Sequence, residues 1–210
     1  TIGPARIVVA VSGGAESGAL AADIADALRA RGESTVRRLV LAHYDHRIRT
    51  VSEGQDDLSA VRGLAARCDA SLVIGRAASG AAMRSDDPPT GGPEAAARAM
   101  RYRFLRVTCR ACGAGVLATA HTRDDQAETV LMRLLDGVEG TLLAGIPRSR
   151  RLDERVCVHR PLIDVPRAEV VAALRCRGLS WSEDATNLLT VYRRNRVRHR
   201  SEERRVGKEC

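Results

Sequence analysis

The segment IVVAVSGGAESGAL, residues 7–20, joins a run of branched apolar residues to a helix-forming stretch through two adjacent glycines. Glycine lets the backbone turn sharply and approach a ligand closely. The N–H groups that open the following helix, aided by the helix dipole, favour an anion, and Ser12 and Ser17 add hydroxyl donors. The pattern therefore predicts a strand–loop–helix unit that binds phosphate at residues 12–17. An ordinary tight turn can have the same Ser-Gly-Gly sequence and stays an alternative at this point.

The loop differs from two common nucleotide-binding patterns. No lysine follows the glycines at the Walker position, and the glycine spacing is not the GxGxxG of dinucleotide-binding proteins. A phosphate bound here would therefore be held by another kind of loop.

Strand-like and helix-like segments alternate along the chain. Short apolar runs predict buried strands at residues 7–11, 39–42, 72–74 and 116–120, with a further short strand near Val156 after an arginine-rich turn. Apolar residues at helical spacing predict helices that end near Gly32, lie around Val61, and cover residues 94–106, 124–135 and 167–177. Residues 77–93, rich in Gly, Pro and Ser, predict a loop. This alternation predicts an α/β fold, a Rossmann-like parallel sheet with helices on both faces.

The composition is typical of one globular domain with a basic surface. The 210 residues are 44% hydrophobic, which is enough for a core, although aromatic residues make up only 2%. The formal net charge of +8 is compatible with a polyanionic partner, nucleic acid first, although codon bias towards arginine and solvated faces are expected to account for most of it. The sequence has no membrane-spanning apolar run, no signal-peptide pattern, and six irregularly spaced cysteines. We therefore expect a cytoplasmic protein with no membrane partner.

A second candidate segment, ATAHTRDDQAETVLMRLL at residues 118–135, follows the fourth predicted strand. His121 lies at the carboxyl end of that strand, and Asp124, Asp125 and Glu128 share one face at the start of the next helix. Each carboxylate alone is explained by helix capping and the helix dipole. Together with a histidine above a phosphate loop, they predict a site that binds Mg²⁺ or positions an amine nucleophile.

Residues 12–17, SGGAES, resemble the SGGxDS loop of the N-type ATP pyrophosphatases, the PP-loop family, which cleave ATP between the α and β phosphates. The resemblance implies an adenine nucleotide alpha hydrolase-like fold with ATP bound over the loop. Glu16 stands where the family has Asp, a position at which the carboxylate is expected to act near the pyrophosphate through Mg²⁺. The residues that the resemblance implies in phosphate binding are Ser12, Gly13, Gly14, Ala15, Glu16 and Ser17.

Four further stretches resemble, in order, the motifs of the tRNA(Ile)-lysidine synthetases within that family. HYDHRIR, residues 43–49, resembles HxDHGLR, with Arg47 in place of glycine, and implies a nucleotide-binding role for His46. EAAARAMRYRFL, residues 94–105, resembles ExxARxxRYxxL, and residues 119–129 resemble the second signature of the family. Residues 160–199 resemble its RPLL…R.E…GLxWxEDxSN…RNRxR ending.

This resemblance implies an ATP-dependent tRNA-modifying ligase with an adenylated base as its intermediate. The wobble cytidine of tRNA(Ile) with a CAU anticodon would be joined to L-lysine, and a homodimer is compatible with the resemblance. The implied RNA-binding residues are Arg98, Arg101, Arg194 and Arg198. The implied catalytic residues are Glu16, His121, Asp124, Asp125 and Glu128, with Glu16 and Asp125 as ligands of Mg²⁺.

The ends of the chain carry a separate expectation. Residues 1–200 are expected to form the PP-loop catalytic domain, without the C-terminal tRNA-binding domains of the family. Residues 201–210, SEERRVGKEC, match the translation of a sequencing-adapter oligonucleotide and are expected to be a non-native tail.

Two alternatives remain open at this point: another PP-loop enzyme, such as a tRNA thiolase, or a non-catalytic nucleotide-binding module. A thiolase would need reactive sulfur, for which Cys109 and Cys112 form the candidate pair, although a structural role is the expected one. Trp181 is expected to be a packing anchor, and Arg148, Arg150 and Arg151 to lie in a solvated loop.

Overall fold

The computed structural model describes residues 5–47, 51–77, 92–138, 140–179 and 181–182. Strands and helices alternate, as the sequence predicts. The strands are β1 (Arg6–Val11), β2 (Leu39–Asp45), β3 (Ser71–Arg76), β4 (Ala114–Ala118), β5 (Ser149–Arg151) and β6 (Cys157–His159). The helices are α1 (Ala15–Ala30), α2 (Thr35–Arg38), α3 (Val51–Cys68), α4 (Gly92–Cys112), α5 (Arg123–Leu135) and α6 (Arg167–Cys176), and a 3-10 turn covers Gly140–Leu143.

The strands form one sheet in the order β3-β2-β1-β4-β6-β5. All neighbours are parallel except β5, which pairs antiparallel with β6. The chain builds outward from β1 through β2 to β3, then returns to place β4 on the other side of β1. In open sheets of this kind, the point where the strand order reverses is the usual ligand crevice. The loops that leave β1 and β4 therefore start side by side at the same edge.

Apolar side chains from alternate positions of the strands build a core on each face of the sheet. On one face, Val9 and Leu41 pack with Leu20 of α1 and Val61 of α3. On the other, Val8 and Leu117 belong to the cluster that includes Leu105 and Cys109 of α4. Because both faces are covered, the strands read as nearly continuous apolar runs. The predicted α/β class, with helices on both faces, is confirmed.

Helix α6 adds a small third cluster against α1. Ala15 and Ala19 of α1 pack with Val170 and Leu174 of α6, and Trp181 lies against this cluster. The main-chain N–H of Ser182 donates to the carbonyl of Gly13 at 3.0 Å. The expected packing role of Trp181 is therefore confirmed, and the chain after α6 is bound to the loop that follows β1.

Two predicted boundaries and one predicted turn were wrong. Strand β4 covers 114–118 rather than 116–120, so His121 lies in the loop beyond it. Helix α4 continues to Cys112 and ends at Gly113, whose φ of 66° is the left-handed conformation that ends many helices. The expected arginine-rich turn contains strand β5, which is too short for its alternation to be visible in the sequence. Arg150 is half-buried, with its guanidinium carbon 4.9 Å from the Tyr102 ring centroid.

Arg47 shows how a departure from the family pattern is accommodated. It stands where the resembled motif has glycine, and its φ is 53°, in the left-handed region that glycine adopts at no steric cost. Its N–H donates to Oδ1 of Asp45 at 2.8 Å, a bond that stabilises the turn. The backbone thus keeps the turn despite the added side chain.

None of the helices in the described ranges is long and apolar enough to cross a membrane. Residues 184–200 and the expected non-native tail at 201–210 lie outside the described residues.

Gly75 supports a test of how α4 packs on the sheet. A Cβ at this position would lie 2.5 Å from ring atoms of Phe104 and 2.9 Å from the Tyr44 ring. We predict that Gly75→Ala lowers the free energy of unfolding by about 1–3 kcal/mol, because the added methyl displaces these rings. Urea denaturation followed by circular dichroism measures the change.

Gly63→Ala is the matched control, since Gly63 is exposed in α3 and has no atom within 4 Å of its ideal Cβ. It is expected to raise the free energy of unfolding by about 0.5–1 kcal/mol through helix propensity. Equal effects of the two substitutions would contradict the packing described for Phe104.

Candidate active site

The loop after β1 has a conformation that only glycine adopts easily. Gly13 has a φ of 96°, and a Cβ there would lie 3.3 Å from Oδ1 and 3.4 Å from the backbone of Asp57 on α3. A side chain would therefore be strained and would also meet a neighbouring backbone. The glycine that the sequence pattern singled out is required by both the turn and the approach of α3.

Two serines close the loop on itself. The hydroxyl of Ser17 accepts from the N–H of Ser12 at 3.2 Å and lies 3.0 Å from the carbonyl of Gly14, to which it donates. The N–H of Gly14 donates to the hydroxyl of Ser12 at 3.3 Å. Ser17 is buried, so its hydroxyl shapes the loop, whereas Ser12 is exposed. Anion binding here would rest on Ser12 and on the first-turn N–H groups of α1, which have no acceptor within the helix.

Glu16 lies in the first turn of α1 beside these groups. Its Oε1 accepts from Nε of Arg167 at 2.9 Å. Its Oε2 lies 3.8 Å from the point where a Gly14 Cβ would be, and the Ser12 hydroxyl lies 3.4 Å from the same point. A hydroxyl and a carboxylate oxygen thus flank a glycine that has no side chain.

This arrangement fits a triphosphate with its Mg²⁺. The described residues contain no group of three or more His, Cys, Asp or Glu side chains that could hold a metal ion alone. Mg²⁺ commonly takes one or two carboxylates and completes its shell with phosphate oxygens and water. Glu16 can supply such a carboxylate, and bound phosphates would supply the rest.

The acidic residues of the second segment have separate partners. Oδ2 of Asp125 accepts from the N–H of Thr122 at 2.8 Å and from its hydroxyl at 3.1 Å, which completes a capping box at the start of α5. Oδ2 of Asp124 accepts from the N–H of Arg167 at 2.7 Å, at the start of α6. Glu128 is buried, with 4% of its surface exposed. The helix-capping explanation thus applies to two of the three, whose predicted chemical roles stay predictions.

His121 is held in a neutral form beside these carboxylates. Its Nδ1 lies 3.0 Å from the hydroxyl of Thr119. Burial is the largest cause that lowers the pKa of His121 to about 4; Asp125 opposes it, and the nearby charges of Arg160, Arg98 and Arg101 add to it. A neutral imidazole at physiological pH can accept or donate a hydrogen bond but adds no positive charge to the site.

The positive charge of Arg101 acts on one histidine in each of the loops that follow β2 and β4. Besides its effect on His121, its charge lowers the pKa of His46, after the larger effect of burial. His46 contacts Tyr44 edge to face, with the ring centroids 4.8 Å apart. The structure therefore brings the predicted residues His46, His121 and Arg101 into one electrostatic environment at the carboxyl edge of the sheet.

A cluster of arginines borders this environment. The guanidinium carbons of Arg98 and Arg150 lie 5.2 Å and 4.9 Å from the Tyr102 ring centroid. Arg160 is 1% exposed; its Nη1 donates to the carbonyl of Pro147 at 2.6 Å, and within the described ranges its Nε has no acceptor. The predicted RNA-binding residues Arg98 and Arg101 lie in the described part, whereas Arg194 and Arg198 lie outside it.

Sequence reasoning missed two residues that contact the loops. Asp57 lies directly against Gly13, and Arg167 contacts both Glu16 and Asp124. Arg167 falls in a stretch that resembles a family motif, but nothing in the sequence pattern assigns it a partner. Both contacts join segments that are far apart in the sequence and are brought together by helix packing. The spacing of residues within one segment therefore does not predict them.

The paired cysteines lie far from these loops along the fold. Cys109 and Cys112 belong to the last turns of α4, which lead through Gly113 into the amino end of β4, opposite the carboxyl edge. Cys109 is fully buried in the core, and burial raises the pKa of its thiol to about 12. Such a thiol is unreactive at neutral pH, which supports the expected structural role.

Comparisons with known proteins agree with this geometry. Residues 2–203 match the PP-loop domain family. The chain is 41% identical over 197 residues to a tRNA(Ile)-lysidine synthase of Bradyrhizobium diazoefficiens, covering 91% of the chain and 50% of that protein. It is 42% identical over 190 residues to a tRNA(Ile)-lysidine synthase of Deinococcus deserti, covering 90% of the chain and 32% of that protein. The chain thus spans half or less of the length of these relatives.

A solved structure with the same fold is the U34-tRNA thiolase NcsA of Methanococcus maripaludis with its [4Fe-4S] cluster. The TM-score is 0.76 at 18% identity, covering 95% of the chain and 66% of that structure. At this identity the likeness shows the fold alone.

The lowered pKa of His121 predicts a pH dependence of stability. A histidine whose folded pKa lies below its unfolded value stabilises the fold less as pH falls, here between about 6.5 and 4, with a slope of up to about 1.4 kcal/mol per pH unit. His121→Asn keeps a hydrogen-bonding group for Thr119 and removes the titration. We expect urea unfolding to show a steeper loss of stability for the wild type than for the variant across this window. Parallel profiles would contradict the buried, neutral imidazole.

Proposed function

The chain belongs to the PP-loop family, and from that premise we propose that it is the catalytic domain of a tRNA(Ile)-lysidine synthase. The reaction would join L-lysine to the wobble cytidine of a CAU-anticodon tRNA(Ile) at the expense of ATP. The observation that carries the proposal is the adjacency of two loops. The loop at residues 12–14, with Glu16 in the first turn of α1, and the acidic first turn of α5, with Asp124, follow neighbouring strands, and Arg167 contacts both carboxylates.

In the first step, O2 of the cytidine attacks the α-phosphate of ATP, and pyrophosphate leaves. The N–H groups that open α1 and the exposed Ser12 hydroxyl stabilise the charge that develops on the leaving pyrophosphate. When bound, Mg²⁺ supplies further charge stabilisation there, and Glu16 is the residue that would hold it. The closed hydrogen-bond pattern of Ser12, Gly14 and Ser17 keeps these donors in place before ATP binds.

In the second step, the amine of lysine attacks C2 of the adenylated cytidine and AMP leaves. The amine must reach the base as a neutral group, whereas free lysine arrives as an ammonium. Asp125 and Glu128 attract that ammonium near the base. Because His121 is neutral at physiological pH, it adds no positive charge that would repel the ammonium. Its lowered pKa makes it a weak base, so the ammonium loses its proton to solvent before the amine attacks.

The arginines around Tyr102 are suited to the tRNA. The charges of Arg98 and Arg101 act on His121, Arg98 and Arg150 lie against the Tyr102 ring, and arginine pairs well with phosphate oxygens. A base displaced from the RNA stack, as sequence-specific RNA recognition commonly requires, could then enter between the two loops. The formal charge of +8 fits this partner.

The alternative of a tRNA thiolase has less support in this chain. Both reactions begin with an adenylated base, so the loop after β1 does not separate them. The second nucleophile does, and the cysteine pair lies at the opposite edge of the sheet with Cys109 buried. A non-catalytic nucleotide-binding module has less support, because relatives about 40% identical to the chain are tRNA(Ile)-lysidine synthases.

The test is an assay that follows pyrophosphate and AMP separately. With tRNA(Ile) and ATP alone we expect pyrophosphate, and with added lysine we expect AMP as well. Because the loop lacks a Walker lysine, ADP and inorganic phosphate are not expected as products. Their appearance, or AMP release that does not depend on lysine, would contradict the proposal.

Two variants locate the second step in this assay. Glu128→Gln removes a charge from helix α5 and should raise the lysine KM by about tenfold or more, the order expected for one charged hydrogen bond, while pyrophosphate release persists. Cys109→Ala/Cys112→Ala is the control and should leave both products near the wild-type rates. Loss of activity in the cysteine variant, with no lysine requirement in the wild type, would favour a thiolase.

A further inference from the structure

Arg167 contacts carboxylates from the first turns of two helices of the site, α1 and α5. Its Nε donates to Oε1 of Glu16 at 2.9 Å, and its main-chain N–H donates to Oδ2 of Asp124 at 2.7 Å. Glu16 belongs to the first turn of α1 and Asp124 to the first turn of α5. The first residue of α6 therefore joins the starts of two helices that follow adjacent strands.

The two carboxylate oxygens of Glu16 have different surroundings. Oε1 is bound to the guanidinium, whereas Oε2 lies on the Gly14 side, close to where a Cβ would project from that glycine. Glutamate has one more rotatable bond than aspartate, so a free carboxylate in this position would sample more orientations. The bond to Arg167 restricts that freedom and leaves Oε2 directed toward the loop.

We propose that Arg167 is a positioning residue that holds the Glu16 carboxylate in the orientation needed for Mg²⁺·ATP. The inference rests on the proposed function and explains how glutamate serves at a position where the resembled motif has aspartate. The added methylene lets the carboxylate reach Arg167 on α6, and the ion pair fixes its second oxygen over the phosphate loop. Arg167 acts on the metal and nucleotide only through Glu16.

The side chain of Arg167 can be removed without removing its bond to Asp124, because the donor of that bond is the main-chain N–H. Arg167→Met therefore isolates the Glu16 contact, and Arg167→Lys restores a positive charge at the same place. The matched control is Arg177, just after the far end of α6, whose Nη1 donates to Oδ1 of Asp23 on α1 at 2.6 Å. The two arginine side chains are equally exposed, at 37% and 38%, and both join α6 to α1.

The experiment measures the dissociation constant of ATP by calorimetry, with Mg²⁺ and then with EDTA, for each variant. Arg167→Met is expected to raise the constant about tenfold in Mg²⁺, the order of one charged hydrogen bond, and by less than about twofold in EDTA. Arg167→Lys should recover most of the Mg²⁺-dependent affinity, and Arg177→Met should match the wild type in both buffers. With Glu16→Gln already present, Arg167→Met should have no further effect.

Several results would overturn the inference. Equal weakening in both buffers would indicate a general structural role, and so would the same loss in Arg177→Met. An Arg167→Met variant that binds Mg²⁺·ATP like the wild type, or a full effect that persists beside Glu16→Gln, would exclude action through Glu16.

Failure of the proposed function and failure of the proposed role of Arg167 give different results. A wild-type chain that binds no ATP would contradict both proposals. Mg²⁺-dependent ATP binding with the expected pattern of variants, but without lysine-dependent AMP release, would remove the lysidine assignment and leave the role of Arg167 in place.

Discussion

The pairing of β4 with β1 is the constraint on which the rest of the site depends. Since β2 and β3 extend the sheet in one direction and β4 lies on the other side of β1, the loops after β1 and β4 begin as neighbours. The core residues of the central strands on both faces are almost fully excluded from solvent, so this arrangement cannot shift without loss of packing. The rigid sheet thus holds the loop at residues 12–17 next to the acidic first turns of α5.

Several polar groups of the site also stabilise its local structure. Ser17 closes the loop that its helix follows, Asp125 caps α5, and Asp124 binds the N–H of Arg167 at the start of α6. Functional sites commonly need side chains that are held in place before the ligand arrives. In this molecule Asp124 and Asp125, which are expected to act on the substrate, are held in place by the hydrogen bonds that cap the starts of α6 and α5.

The sequence predicted the fold class and most elements because the central strands are buried on both faces and therefore apolar throughout. It predicted the glycine turn because φ near 96° at Gly13 favours one residue type. It did not predict strand β5, whose three residues are too few to show alternation. The contact between Arg167 and Glu16 was also missed, since it joins residues about 150 positions apart through the packing of α6 on α1. The capping roles of Asp124 and Asp125 could be named as an alternative but not chosen, because capping and catalysis use the same residue types.

We infer that residues 12–17 hold the triphosphate while the carboxylates at the start of α5 face its reacting end. A crystal structure with Mg²⁺ and an ATP analogue that resists cleavage between the α and β phosphates tests this arrangement. We expect phosphate oxygens at the N–H groups that open α1, and a metal about 2.1 Å from Oε2 of Glu16. A nucleotide bound away from this loop, or a metal without contact to Glu16, would contradict it.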